Sequence, residues 1–154
     1  MILIGLGNAF RRDDGVGPEI LRRLPDLPSR YCEGDPLRLM AALDGLERAV
    51  IVDAVEGEAP GRIHRWVWPD VPRESMRPRL SSHGMSLFDA LRLLEQSDRL
   101  PATVVVYGLE GEDFGWGEGF SAPVGATLSR LESMVRGELL SVRDSPFSDS
   151  CYGK

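Results

Sequence analysis

Short apolar runs alternate with stretches of helical periodicity along most of the chain. Continuous apolar runs predict buried strands at 2–6, 49–53 and 103–108, the last of them rich in β-branched residues. Two weaker segments complete the set: 30–34, and 61–68 (GRIHRWVW), which follows a Pro-Gly turn signal and has one half-exposed face. The hydrophobic pattern therefore predicts five strands.

Apolar residues three and four positions apart predict helices between these strands. The predicted helices cover about 15–24, 36–46, 84–96 and 122–136. Pro18 fits only near the first turn of a helix, so we expect the first helix to start close to Asp14. Strands and helices thus follow each other in alternation.

Alternating strands and helices predict an α/β fold. We expect a three-layer sandwich in which a five-stranded, mixed, mostly parallel sheet carries helices on both faces, because fully apolar strands must be covered on both sides. The connection inside 53–68 is too short for a helical crossover, which predicts an antiparallel pair. The expected organisation is one domain over residues 1–143 and a flexible C-terminal tail over 144–154.

Composition narrows the class of protein only slightly. The 154 residues can bury one core, and a net charge of −6 argues against a large nucleic-acid surface, which needs a basic stripe. Cys32 and Cys151 lack CxxC spacing, which favours a reducing compartment. The segment MILIGLGNAF lacks the basic and long apolar regions of a signal peptide, and no run approaches the roughly 20 apolar residues of a membrane span, so we expect neither. We therefore expect a cytoplasmic protein.

Three polar residues stand where a ligand site of an α/β sheet is expected. Open α/β sheets bind ligands outside the carboxyl ends of their strands. Asp14 follows the first strand by a short loop, Asp53 ends the third strand, and His83 opens the helix of 84–96. Two carboxylates and one imidazole suit a borderline divalent ion and leave coordination positions open. The sequence thus predicts a metal site built from three distant segments.

Each of these residues also has a structural interpretation. Asp13 or Asp14 could cap the first helix, and Asp53 could start a turn. The two serines before His83 could cap the next helix, which would leave the histidine solvated. The other histidine, His64, shares a strand face with two tryptophans and is interpreted as a packing or surface residue. Spacing alone does not decide between the two interpretations.

Other chemistries have less support. A GxG is present, but Phe10 replaces the third glycine of the dinucleotide fingerprint, and two aspartates face the position that a pyrophosphate would take. The glycines are better explained by close backbone approach. No GxSxG nucleophile elbow occurs. The acidic, glycine-rich segment 108–120 is either a solvated connection or a lid that faces substrate at the same rim.

Five motifs, read in order, resemble the maturation proteases of nickel–iron hydrogenases. They are GLGNAFRRDDGVGP, IVDAVEGEAPG, SSHGMSLFDAL, TVVVYGLEG and FSAPV, and the resemblance covers about residues 1–136. It implies a fold of five twisted strands between helices, of the phosphorylase/hydrolase-like type. It also implies that Asp14, Asp53 and His83 are the metal-binding and catalytic residues, since the family has Asp or Glu at the first position. One departure is the segment EGDPLRLMAAL, which has a single glycine, Gly34, where the family often shows GG followed by Ser or Thr, so the choice of partner is open.

The resemblance further implies a substrate and a reaction. The expected substrate is the large-subunit precursor of a hydrogenase, from which the enzyme removes a short C-terminal extension once nickel has been inserted. Nickel is thus carried by the precursor, and the free protein could hold another divalent ion. Such an enzyme could work as a monomer with a transient partner. Whether the ion acts as a Lewis acid or only positions the bond stays open.

Two other functions remain to be weighed. A peptidyl-tRNA hydrolase-like enzyme has a related fold and also begins with GLGN, but it needs a basic cleft, whereas the rim here is predicted to be acidic. The acidic rim residues are Glu110, Glu112, Asp113 and Glu118. A non-catalytic chaperone for a metal-loaded partner could use the same three residues.

Asp13 is expected to cap the helix and orient the loop.

Overall fold

The computed structural model describes residues 1–73 and 85–141, which form one five-stranded sheet and its helices. The strands are β1 (Ile2–Gly5), β2 (Ser29–Tyr31), β3 (Arg48–Val55), β4 (Ile63–Val67) and β5 (Thr103–Glu110). The helices are α1 (Val16–Arg23), α2 (Pro36–Leu43), α3 (Leu87–Gln96), α4 (Ala122–Gly125) and α5 (Leu128–Ser141). One turn of 3-10 helix, Arg12–Gly15, precedes α1.

The sheet has the strand order β2-β1-β3-β5-β4, and only its edge strand β4 runs antiparallel to its neighbour. The predicted mixed, mostly parallel sheet is therefore confirmed. The predicted pairing of β3 with β4 was wrong, because β5 lies between them. The two long apolar strands pair from Arg48↔Thr103 to Val55↔Glu110 and take the centre of the sheet. The half-exposed β4 is left for the edge, where one side of a strand can stay uncovered.

Helices cover both faces of the sheet, as expected for a three-layer sandwich. Successive side chains of a strand point to opposite faces, so β3 contributes to two cores. Ile51 belongs to the core beneath α2 and α3, whereas Val50 and Val52 belong to the core beneath α1 and α5. Both cores are built almost wholly from buried aliphatic side chains, which explains why the central strands β3 and β5 carry no charged residue between their first residues and their carboxyl-terminal halves.

Helix ends correct several predicted boundaries. Helix α3 begins at Leu87, later than predicted, because Ser86 is its cap: the Ser86 hydroxyl accepts a hydrogen bond from the Asp89 N–H, and the Asp89 side chain accepts one from the Ser86 N–H. The cap is therefore not one of the serines before His83. The predicted helix of 122–136 is two helices, α4 and α5.

Some predictions fall outside the described residues. His83, Cys151 and the tail of 144–154 are among them, as is the predicted start of the helix at residue 84. Cys32 is buried with a free thiol. Within the described segments, no helix combines the length and the apolar content that crossing a bilayer requires.

Candidate functional site at the carboxyl ends of the strands

The glycine-rich loop after β1 folds tightly against the start of α1. Gly7 has a φ of +105°, and a side chain at this position would collide with the backbone oxygen of Asp14. A side chain at Gly17 would collide with the backbone of Leu6. Close backbone approach, the interpretation given to these glycines from the sequence, is thus confirmed, and it brings Asp14 back to the end of β1.

Asp14 lies in the 3-10 turn beside the carboxyl end of the sheet. Its side chain is largely buried, with 7% of the residue exposed, and its Oδ2 accepts a hydrogen bond of 2.9 Å from the Asn8 N–H. The 3-10 turn packs against β3, the strand that carries Asp53. Asp14 is therefore fixed beside the loop that follows β1, in a turn that packs against β3.

Asp53 lies inside β3, two residues before its end, and is half-buried. The prediction that Asp53 ends the strand was wrong, because pairing with β5 continues to Val55↔Glu110. Since β1 ends at the pair Gly5↔Val52, Asp53 occupies the first position of β3 beyond the last β1 partner. A strand position without a neighbour on one side leaves room for a polar side chain at the sheet's rim.

The third predicted ligand, His83, is not among the described residues, so the structure brings together the segments of two of the three. Asp53 shares its strand face with Ile51 and Val55, the face that α3 covers. Helix α3, which follows His83 in the sequence, packs on that same face. Across residues 1–73 and 85–141, no three His, Cys, Asp or Glu side chains are arranged to hold a metal ion.

Asp13 holds a loop beside the site but does not cap the helix, so only one of its two predicted roles is contradicted. Neither the 3-10 turn nor α1 has a side-chain cap, so the prediction that Asp13 caps the helix was wrong. The carboxylate is completely buried and accepts four hydrogen bonds of 2.7–2.9 Å from the loop after β5. The donors are the N–H groups of Glu112, Asp113 and Ser121 and the hydroxyl of Ser121.

These hydrogen bonds also set the charge of Asp13. Burial of the carboxyl by itself raises its pKa, because it penalises the charged form. The hydrogen bonds from the loop together outweigh burial, and the pKa of Asp13 lies below its ordinary value. Asp13 is therefore an ionised acceptor at neutral pH that holds the 111–121 loop against the segment carrying Asp14.

Backbone contacts join the same two loops along their length. The Gly117 N–H donates to the Phe10 carbonyl at 2.8 Å, and the Arg12 N–H donates to the Gly117 carbonyl at 3.0 Å, forming an isolated parallel bridge. Arg12 also forms an ion pair with Asp113 at 3.4 Å. The 111–121 loop is thus more than a solvated connection: it is fixed to the loop that carries Asp14.

Comparison with known proteins identifies the family. The family model described as HycI, hydrogenase maturation protease, matches residues 34–138, about two thirds of the chain. The chain belongs to the hydrogenase maturation protease family. One relative, the hydrogenase expression/formation protein HoxM of Azotobacter vinelandii, is 28% identical over 94% of this chain and 77% of its own length. Protein FrxA of Pyrococcus furiosus is 34% identical over 56% of this chain, and the match spans only 64% of FrxA.

Solved structures of maturation proteases share the fold of this family member. The hydrogenase maturating endopeptidase HybD of Escherichia coli superimposes with a TM-score of 0.74 over 92% of both chains, at 22% identity. The maturation protease HybD of Thermococcus kodakarensis gives a TM-score of 0.72 at 24% identity, over 89% of this chain and 97% of the other. The five-stranded α/β fold expected from the resemblance is thereby confirmed.

One polar pair of this maturation protease was not predicted. Glu110, expected at the acidic rim, is instead buried at the end of β5, and its Oε1 lies 3.4 Å from Nε2 of His64. His64 stacks on Trp66 with ring centroids 4.8 Å apart, which confirms its interpretation as a packing residue. Oε2 of Glu110 is buried without a hydrogen-bond partner in the described part of the chain. Strand alternation places this pair on the same face as Asp53, a relation that requires the strand order to be known.

Proposed function

We propose that this chain is the endopeptidase that removes the C-terminal extension of a nickel-loaded large-subunit precursor during maturation of a nickel–iron hydrogenase. The observation that carries this proposal is the position of Asp14 and Asp53 at the adjoining carboxyl ends of β1 and β3 in a member of the maturation protease family. Ligand sites of open α/β sheets lie at this edge. We place the precursor at the same edge.

Asp14, Asp53 and His83 are proposed both as the residues that bind the metal and as the catalytic residues. The donor set fits a borderline divalent ion, because two carboxylates and one imidazole supply oxygen and nitrogen and leave positions for substrate. Both carboxylates are partly or largely withdrawn from water, which strengthens their interaction with a cation. In this proposal nickel is part of the substrate, and a different divalent ion could occupy the free protein.

A bound divalent ion can polarise the scissile carbonyl or lower the pKa of a water molecule. The chain's own contribution is to hold Asp53 within paired strand β3 and Asp14 in the 3-10 turn that packs against this strand. The hydrogen bonds between Asp13 and the 111–121 loop, which we call the Asp13 junction, keep this loop against the same edge, so that the precursor tail meets a rim of defined shape. The proposal includes a cytoplasmic location and action as a monomer.

The test is incubation of the purified chain with the precursor in nickel-loaded and nickel-free forms, followed by mass spectrometry of the intact products. We expect the nickel-loaded precursor to lose one C-terminal peptide and the nickel-free precursor to stay whole. A stable complex with an uncleaved, nickel-loaded precursor would refute the endopeptidase activity and favour a non-catalytic chaperone. Equal cleavage of both forms would show that nickel is not required for cleavage, and the endopeptidase activity would still be supported.

A further inference from the structure

Two large aromatic side chains are exposed beside the candidate site. Phe10 is 62% exposed on the loop after β1, and Trp116 is 75% exposed on the loop after β5. Large exposed apolar residues that lie together are characteristic of interaction surfaces, and tryptophan is among the residues that contribute most to them. Phe10 is four residues from Asp14 in the chain. We call Phe10 and Trp116 together the aromatic platform.

The aromatic platform is held in place by the contacts that join the two loops. The parallel bridge pairs Arg11 with Gly117, so Phe10 and Trp116 are neighbours in its register. The Arg11 guanidinium lies over the Trp116 ring, 4.9 Å from its centroid, and its Nε donates to the Phe114 carbonyl at 3.2 Å. A surface fixed before binding loses little conformational entropy when a partner docks. The platform therefore has the properties of a docking surface.

The charge around the platform indicates what kind of segment it fits. The two loops, 8–15 and 111–121, carry two arginines against five carboxylates. Asp113 is compensated by Arg12, whereas Glu112 and Glu118 are exposed to solvent. Opposite charges steer and orient partners at such a rim. The fitting partner is a peptide segment that combines a large apolar side chain with lysine or arginine.

We propose that the aromatic platform, flanked by Glu112 and Glu118, binds the precursor segment next to the scissile bond. This inference rests on the proposed function, because it takes the precursor as the partner. Docking beside Asp14 would bring the segment's backbone to the carboxyl ends of β1 and β3, whereas the platform itself takes no part in bond cleavage. Loss of the platform should therefore weaken binding and leave the chemical step unchanged.

The experiment compares the wild type with the double variant Phe10→Ala/Trp116→Ala. Binding of the nickel-loaded precursor is measured by calorimetry, and cleavage is measured as kcat and KM. We expect Kd and KM to rise at least about tenfold while kcat stays within about threefold, as for the loss of an interaction made equally in ground and transition states. The matched control is Leu93→Ala, which removes an apolar side chain, 42% exposed, from α3. Circular dichroism and melting curves of both variants should match the wild type.

Three outcomes separate this inference from the proposed function. If the wild type cleaves and the double variant shows the same Kd and KM within about twofold, the binding role of the aromatic platform is refuted. The proposed endopeptidase activity is then retained. If the wild type binds without cleaving and the double variant loses binding, the binding role of the aromatic platform is supported and the proposed endopeptidase activity is refuted. If the wild type neither binds nor cleaves the precursor, both are overturned.

A second variant tests the charge of the partner. Glu112→Gln/Glu118→Gln removes two exposed charges and should weaken binding several-fold in low salt. The difference from the wild type should shrink as ionic strength rises toward roughly 1 M, where screening acts over about 3 Å. Unchanged affinity at every salt concentration would overturn the basic character assigned to the segment.

Discussion

Asp13 and Glu138 are two carboxylates that the fold holds with several donors, but the donors differ in kind. Asp13 accepts three backbone N–H groups and one hydroxyl from the 111–121 loop. Glu138, on α5, accepts two hydrogen bonds from the Arg65 guanidinium, at 2.8 and 2.9 Å, and one from the Tyr107 hydroxyl at 2.7 Å. Asp13 is completely buried, whereas the Arg65 side chain is 44% exposed.

The difference shows what each carboxylate stabilises. Backbone donors tie the main chain of a loop to the site, so Asp13 determines the shape of the rim. Side-chain donors tie α5 to the two strands β4 and β5 on a face away from Asp53. Glu138 therefore contributes to the stability of the fold and not to the site. Both carboxylates are acceptors with their hydrogen bonds satisfied. Asp13 fixes the shape of the loop at the rim, whereas Glu138 stabilises the packing of α5 on the sheet.

The largest effect is expected for Asp13→Ala. The substitution leaves three backbone N–H groups and one hydroxyl without their acceptor in a buried place, and each unsatisfied donor costs about 1–3 kcal/mol. We expect the free energy of unfolding to fall by about 3 kcal/mol or more, and kcat/KM for the precursor to fall at least a hundredfold. Urea unfolding and the cleavage assay measure the two. Asp13→Asn keeps the shape and should lose less of both. Full activity of a folded Asp13→Ala would show that the junction does not shape the site.

A smaller effect, confined to stability, is expected for Glu138→Gln. Hydrogen bonds to charged groups contribute about 1.5–3 kcal/mol, and exposure of the Arg65 side chain reduces this by solvent screening. We expect a loss of about 1–2 kcal/mol in urea unfolding with kcat/KM unchanged within twofold. A marked loss of cleavage at full stability would contradict the separation of the two carboxylates.

Much of the fold could be predicted because the signals are local. The apolar runs of β1, β3 and β5 and the stripes of α1 and α3 mark their own elements. The neighbour of β4 could not be predicted, because chain length limits how β3 and β4 connect but does not reveal that a later strand lies between them. The missed boundary at Asp53 has the same cause: β3 continues where β5 supplies partners.

The candidate site was predictable only in its residue types. Asp14 and Asp53 stand out because carboxylates follow apolar runs, and His83 stands out because it opens a predicted helix. The role of Asp13 depends on donors 99 to 108 positions away in the chain, which no periodicity reveals. A cap was the natural expectation for an aspartate before a helix, but the 111–121 loop offers the buried Asp13 carboxylate more donors than the helix end does.

A smaller loss in the free energy of unfolding is expected for Tyr107→Phe, which removes one hydrogen bond to Glu138. The loss should be about 1 kcal/mol at pH 7. Burial and the neighbouring Glu138 raise the pKa of Tyr107 to about 12. A raised pKa stabilises the fold fully below the ordinary value of 10.0, and this contribution is lost as pH rises through about 12. Melting curves between pH 8 and pH 12 should therefore fall more steeply for the wild type than for the variant.

The smallest effect concerns the acid limb of stability. The pKa of Asp13 is lowered by its loop hydrogen bonds against the effect of burial, and that of Glu138 is lowered first by Arg65. A lowered pKa stabilises the fold above the ordinary values, 3.8 and 4.5, and the contribution is lost as pH falls through the lower folded values. Asp13→Asn should flatten the loss of stability below about pH 4. Parallel acid limbs of variant and wild type would exclude Asp13 as a contributor.

In the proposed function, Asp14, Asp53 and His83 act together on the nickel-loaded precursor. Cleavage of that precursor by His83→Ala tests it most directly, and His64→Ala is the matched control because the chain contains two histidines. We predict that His83→Ala folds like the wild type by circular dichroism and yields no shortened product, while His64→Ala still cleaves. Normal trimming of the precursor by a folded His83→Ala would show that His83 is not needed for cleavage.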